Sequence, residues 1–279
     1  MLSSDEMVKG FVRPAPPNGG SAETPTWLEL VLTHNRPLTL VLPAAVTAAA
    51  WTWVTLLAGD TYGRMQGPAA WMTTAVWGWP HLVLLWLMWA VMMTAMMLPT
   101  AAPLILLYGA AARRSGDRVS GAPRVYALAG GYLLVWTLFS VVATALQRGL
   151  SMRLVLTPMM EPASSTAAAI ILAVAGLYQL TPLKRACLRT CRSPLGFMMQ
   201  RWRGGTSGAF RLGFEHGWHC LGCCWALMLI LFAGGVMNLT VILALTLWVL
   251  VEKWAPAGER TATASGIGLL VVALWMATR

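Results

Sequence analysis

From residue 38 onward, long apolar stretches alternate with short polar or Gly/Pro-rich connections. The stretches cover 38–59, 81–109, 125–146, 163–180, 208–234, 239–251 and 263–278. Most approach the ~20 residues a helix needs to cross a hydrocarbon core. The run 239–251 is short for a full span unless its flanking turn contributes. Hydrocarbon offers backbone groups no partner but each other, so lone spanning runs are helical. The pattern predicts an all-α polytopic transmembrane helical bundle of about seven spans. Between the fourth and fifth runs, Pro182 and Pro194 bound a polar, helix-compatible stretch. It is expected to form a short interfacial helix carrying Cys187 and Cys191. Pro99 and Pro103 should kink the second span or open its last turns. Residues 60–80, with Trp71, Trp77 and Trp79, are expected to form an interfacial hairpin. The expected organisation is a flexible cytoplasmic N-terminal tail, 1–36, followed by one transmembrane domain, 37–279. The first 23 residues show no basic region followed by an apolar one, so they are not read as a signal peptide.

Composition strengthens the membrane reading. Charged residues make up 11% of the chain against about a quarter in soluble domains. The mean hydropathy is +0.64. Fifteen tryptophans suit the lipid–water boundary. The net charge of +10 is concentrated in connections and has few aromatics among it, which argues against a nucleic-acid partner. Residues 113–124 carry +3, and Lys184, Arg185, Arg189, Arg192, Arg201 and Arg203 give +6 with no acid between them. The connection 147–162 carries only +1 and 60–80 is neutral. The positive-inside rule then places both basic segments, and the N-terminus, in the cytoplasm. Seven crossings put the C-terminus outside.

The candidate chemistry lies in sulfur and imidazole. Five cysteines fall into two clusters, Cys187/Cys191 and Cys220/Cys223/Cys224. Two of the four histidines, His216 and His219, stand beside the second cluster. On a helix His216, Cys220 and Cys223/Cys224 share one face, and His219 and Cys223 pair on a neighbouring one. Such residues inside a span mark a functional site by default. Cysteine and histidine suit copper and zinc, with Cu(I) the expected cargo and zinc the other candidate. Capping of nearby carbonyls is the competing role for the histidines. Glu215 either orients a histidine from outside the ligand set or balances the helix dipole. Met92 and Met96, with Met93 and Met97 beside them, form a thioether stripe that either packs or ligates. Cys187 and Cys191, one turn apart among five cations, can bind one metal or be oxidised together, or are simply buried thiols.

There is no nucleotide-binding loop, no H-E-x-x-H and no G-x-S-x-G. The ten acidic residues are not paired as a hydrolase needs. No catalytic residue is assigned, and whether the protein is an enzyme stays open. Three motifs occur in order: Met92-Met93-Thr-Ala-Met96-Met97-Leu-Pro99; Gln179-Leu-Thr-Pro182-Leu-Lys184-x-x-Cys187-Leu-x-x-Cys191-Arg192-x-Pro194; and Gly213-x-x-His216-Gly-x-x-Cys220-Leu-Gly-Cys223-Cys224-Trp225. With Gly235-Val-Met237-Asn238 and Glu252-Lys253, the chain over 82–268 resembles the predicted metal-binding integral membrane protein family, domain of unknown function 2182. His219 departs from that pattern. The resemblance implies a bacterial inner-membrane location and the handling of a transition metal, copper foremost, and no reaction. The leading expectation is a membrane protein that moves Cu(I) or delivers it to a cuproenzyme. Besides the lipid bilayer, its partners would be a soluble copper donor, the cuproenzyme, or an oligomer or larger membrane complex. The alternatives are a membrane thiol redox protein and a non-metal structural subunit of a membrane complex.

Overall fold

A computed structural model describes residues 38–63, 78–114, 121–157 and 160–278. The expected N-terminal tail, and most of the hairpin expected at 60–80, lie outside the described residues. The elements are α1 (Leu38–Tyr62), α2 (Trp79–Met97), a 3-10 turn (Pro99–Ala101), α3 (Ala102–Arg114), α4 (Gly121–Met152), α5 (Ser165–Gln179), α6 (Pro182–Arg192), α7 (Pro194–Arg201), α8 (Gly205–Gly234), α9 (Leu239–Trp254) and α10 (Gly258–Ala277). Among the described residues the one extended pairing is an isolated antiparallel bridge between Leu156 and Pro162.

The helix starts follow from local chemistry. Ser164 accepts from the Ala167 amide, Thr181 from Lys184, and Asn238 from Thr240 and Val241, each satisfying amides that a helix start leaves free. Pro80, Pro182 and Pro194 stand in first turns, where a missing N–H costs nothing. Proline also makes the break in the second apolar run. Pro99 cannot donate, α2 stops at Met97, and the Ala101 amide turns to Leu98 at 3.1 Å before α3 resumes.

Five helical stretches are long and apolar enough to cross a membrane: Val41–Tyr62, Trp79–Ala112, Ala122–Met152, Gly205–Gly234 and Gly258–Ala277. A sixth is reached if α5 and α6, bent by 65°, count as one broken span. The sequence pattern gave about seven. The difference lies in α5 and α9, which have 15 and 16 residues. At 1.5 Å per residue each is only about 24 Å long or less.

The α8 helix is the axis of the bundle. It lies against α4 so closely that a methyl group on Gly213 would overlap the Leu128 carbonyl, and one on Gly131 the Phe210 carbonyl. The α5 and α10 helices meet similarly: a Cβ at Gly176 would come within 2.9 Å of the Gly266 carbonyl oxygen. Large apolar side chains such as Leu138, Val142, Val271 and Leu274 point outward, a surface suited to lipid.

A candidate metal centre in the bundle

One face of α8 carries His216, Cys220, Cys223 and Cys224, all buried, with His216 and Cys220 at the edge where Tyr132 of α4 reaches them. The Cys223 and Cys224 thiols both donate to the Cys220 carbonyl, at 3.1 and 2.8 Å, which fixes their sulfurs beside that turn. The 65° bend after α5 swings α6 across this face. Cys191 on α6 comes to 3.9 Å from Cys223, sulfur to sulfur. Cys187, one turn earlier, lies over Gly222, where a Cβ would stand 2.7 Å from its sulfur. Gly222 therefore lets the two helices meet at this point. The Tyr178 hydroxyl donates to the Gly222 carbonyl and closes the same contact.

A third element enters from the methionine run. The α2 helix ends at Met97, whose sulfur lies 4.0 Å from Cys224. Met92, Met93 and Met96 are buried in the apolar core. The broken helix leaves the Met97 carbonyl to side chains: Thr100 donates to it at 2.8 Å and Tyr132 at 2.9 Å.

Cys220 is held by groups the sequence did not single out. Lys253 Nζ donates to its sulfur at 2.8 Å and to the Thr100 hydroxyl at 3.0 Å. The Tyr132 hydroxyl stands 2.9 Å from the same sulfur. In the sequence Lys253 stood out only as part of the Glu252-Lys253 pair within the family resemblance, with no role at the site attached to it. Both residues are buried, and they part company. Lys253 goes to Cys220, while Glu252 binds Lys184 Nζ at 2.6 Å. Gln179 and Trp248 donate to the other Glu252 oxygen at 2.7 and 3.0 Å. This carboxylate thereby ties α5 and α6 to α9, and α6 carries both outlying cysteines.

The remaining candidates lie around the cluster. His216 packs its ring on Tyr132 and Phe197, and its Nδ1 is buried with no hydrogen-bond partner. His219 is half-buried with its ring on Phe197. The Glu215 oxygens go to Arg201 at 2.7 Å and Arg211 at 3.0 Å. Those bonds direct it to the basic rim of the site.

Among the described residues, no three His, Cys, Asp or Glu side chains converge on one metal position. What converges is sulfur in pairs: Cys191 with Cys223 and Met97 with Cys224. Two sulfurs sharing one ion at about 2.3 Å each lie at most about 4.6 Å apart. Separations of 3.9 and 4.0 Å fall inside that limit at a wide S–metal–S angle. Such two-sulfur seats suit a soft ion of low coordination demand better than one that requires three or four hard donors.

Residues 86–276 match the family model PpoB2, described as copper chaperone. The chain belongs to this copper chaperone family. No curated protein and no solved structure matches it. The matched region takes in α3 to α9 whole, most of α2 and nearly all of α10, and so every residue of the sulfur cluster. The membrane-like helical fold and the buried cysteines accord with a copper-handling family.

Proposed function

We propose that the protein is a multi-pass carrier of Cu(I) in the bacterial inner membrane, supplying the ion to a cuproenzyme during assembly. The observation that carries this reading is the pairing of sulfurs across helices, Cys191 with Cys223 and Cys224 with Met97. Each pair offers a soft two-coordinate seat, and together they form a short path from α6 into the bundle. Cys187 and Cys191 take up the ion, and Cys220, Cys223, Cys224, Met97 and His216 hold it. Lys253 supplies a positive charge beside Cys220 in the metal-free protein, which limits the cost of burying polar sulfur. Met92, Met93 and Met96 extend the thioether lining, and His219 and Glu215 sit at its rim. With α5 and α9 both crossing, the spans number seven, the basic segments face the cytoplasm, and α6 lies at the cytoplasmic interface. Copper content by elemental analysis, with X-ray absorption on Cu(I)-loaded protein, tests the reading. Wild type should retain copper with sulfur ligation, and Cys220→Ser/Cys223→Ser should lose it. Equal copper in both would end the proposal. Gln200→Cys and Met152→Cys test the topology: an impermeant thiol reagent added to intact cells should label only Met152→Cys.

The 3.9 Å between Cys191 and Cys223 also supports a second reading, a thiol redox protein. Its signature would be a reversible shift in gel mobility on oxidation that disappears in Cys191→Ser, with no copper retained by the reduced wild type.

A further inference from the structure

A cavity of about 280 Å³ opens beside the cluster, at the joint between α6 and α7. Its inner wall holds Cys191, His216, Thr100 and Lys253. Its mouth lies among Ser193, Leu195 and Trp254, all exposed, with Arg192 at the rim. Two features make it more than a packing gap. The buried His216 Nδ1 has no partner, and a buried nitrogen left unsatisfied is costly unless a visitor meets it. The lining also contains two cations and no carboxylate, because the nearby Glu252 is committed to Lys184. An apolar-walled cavity with a few convergent polar groups is the usual form of a small-ligand site.

We propose that this cavity receives a thiolate ligand that carries Cu(I), so that the ion arrives as an anionic copper–thiolate complex and not as a free cation. The inference rests on the copper-carrier reading and adds the form in which the cargo is presented. A Cu(I) ion held by two carrier thiolates has one net negative charge, which the Lys253 and Arg192 cations attract. Cys191, on the wall, then displaces one carrier sulfur. The bond from copper to that sulfur breaks, the bond from copper to Cys191 forms, and the Cys191 proton leaves on the departing thiol. Copper stays Cu(I), and no oxidant or reductant is needed. Moving the ion onto Cys223, 3.9 Å further on, repeats the exchange and frees the second carrier sulfur. The carrier is either a small thiol or a cysteine on a partner protein, which offer the same chemistry.

The test is the rate of copper loading into the full-length protein in detergent. The probes are the Cu(I)–glutathione complex, a Cu(I)-loaded cysteine-bearing soluble protein, and Cu(I) in acetonitrile, which is a cation without thiolate. Leu195→Trp narrows the mouth at a half-exposed position, and Ser193→Glu adds negative charge to the exposed rim. Both variants should load at least tenfold more slowly than wild type from a thiolate complex, while Ser193→Glu loads from acetonitrile as fast as wild type or faster. Slowing from glutathione assigns the cavity to a small thiol. Slowing from the soluble donor alone assigns it to a protein cysteine. Unchanged loading from both thiolate complexes in both variants, or equal slowing of all three probes by Ser193→Glu, would overturn the inference. If wild type takes no copper even from acetonitrile, the carrier function itself fails.

Discussion

The two faces of α8 are built by opposite means. Toward α4, glycine brings backbone onto backbone, and a single methyl on Gly213 would strike the Leu128 carbonyl. Toward α6, the helices meet through sulfur at 3.9 Å, through the Cys187 contact over Gly222, and through a buried ion pair one helix away. The first face has no room to adjust. On the second, thiols and a thioether turn on flexible bonds, and soft sulfur contacts can open to admit an ion and close again. The proposed carrier function would use both, a fixed wall to define the depth of the site and a compliant wall through which cargo passes.

The largest effect should come from breaking the clamp that holds the compliant face. Lys184→Met leaves Glu252 buried without its cation, and removing one partner of such a pair costs about 3–5 kcal/mol. Thermal unfolding in detergent should show a steep loss of stability, and the double variant Lys184→Met/Glu252→Gln should recover part of it. A single variant as stable as wild type would mean α6 is held by sulfur and packing alone.

Next in size is the fixed face. Gly213→Ala overpacks the α4–α8 contact, at a cost of about 1–3 kcal/mol. Copper should be lost in proportion to fold. By contrast, Cys223→Ser should leave the melting temperature close to wild type and remove a ligand. If the two variants lost stability equally, the distinction between the faces would collapse.

Around the sulfur cluster, which Tyr132 of α4 also borders, the effects should grade by distance from the proposed ion. Losing the ligand in Cys223→Ser should weaken Cu(I) affinity by about 100-fold or more, beyond the usual range for a supporting residue. Tyr132→Phe, which removes the hydroxyl beside Cys220, should cost about 10-fold. Competition against a chromogenic Cu(I) chelator measures both, and a larger effect from Tyr132→Phe would mark the tyrosine as more than a support.

How much of this was legible beforehand depended on range. The apolar runs showed the helices because a membrane allows little else. Pro99 showed the break in α2, and Pro182 and Pro194 bounded α6, because proline acts on its own turn. The common face of His216, Cys220 and Cys223 followed from helical spacing. The pairing of Cys191 with Cys223 did not follow, since it depends on the 65° bend at Leu180-Thr181, and local sequence signals a bend without giving its direction. Lys253 was hidden for the same reason: it lies 33 residues from Cys220. Glu215 was legible as a charge near histidines, but Arg201 and Arg211 reach it first.

Chain order gives the Glu252–Lys253 step a consequence in time. During synthesis Lys184 emerges 68 residues before Glu252 and Cys220 emerges 33 residues before Lys253, so for that interval Lys184 has no carboxylate and Cys220 no ammonium. A buried lysine without its counter-charge is costly in hydrocarbon, so the nascent chain gains by keeping α6 at the aqueous boundary until Glu252 arrives. The contacts that anchor α6 and Cys220 are thus completed only when α9 adds Glu252 and Lys253. A chain that stops before α9 lacks both the Glu252 anchor of Lys184 and the Lys253 contact to Cys220, so a Cu(I) site of the kind proposed would be completed only by the late helices.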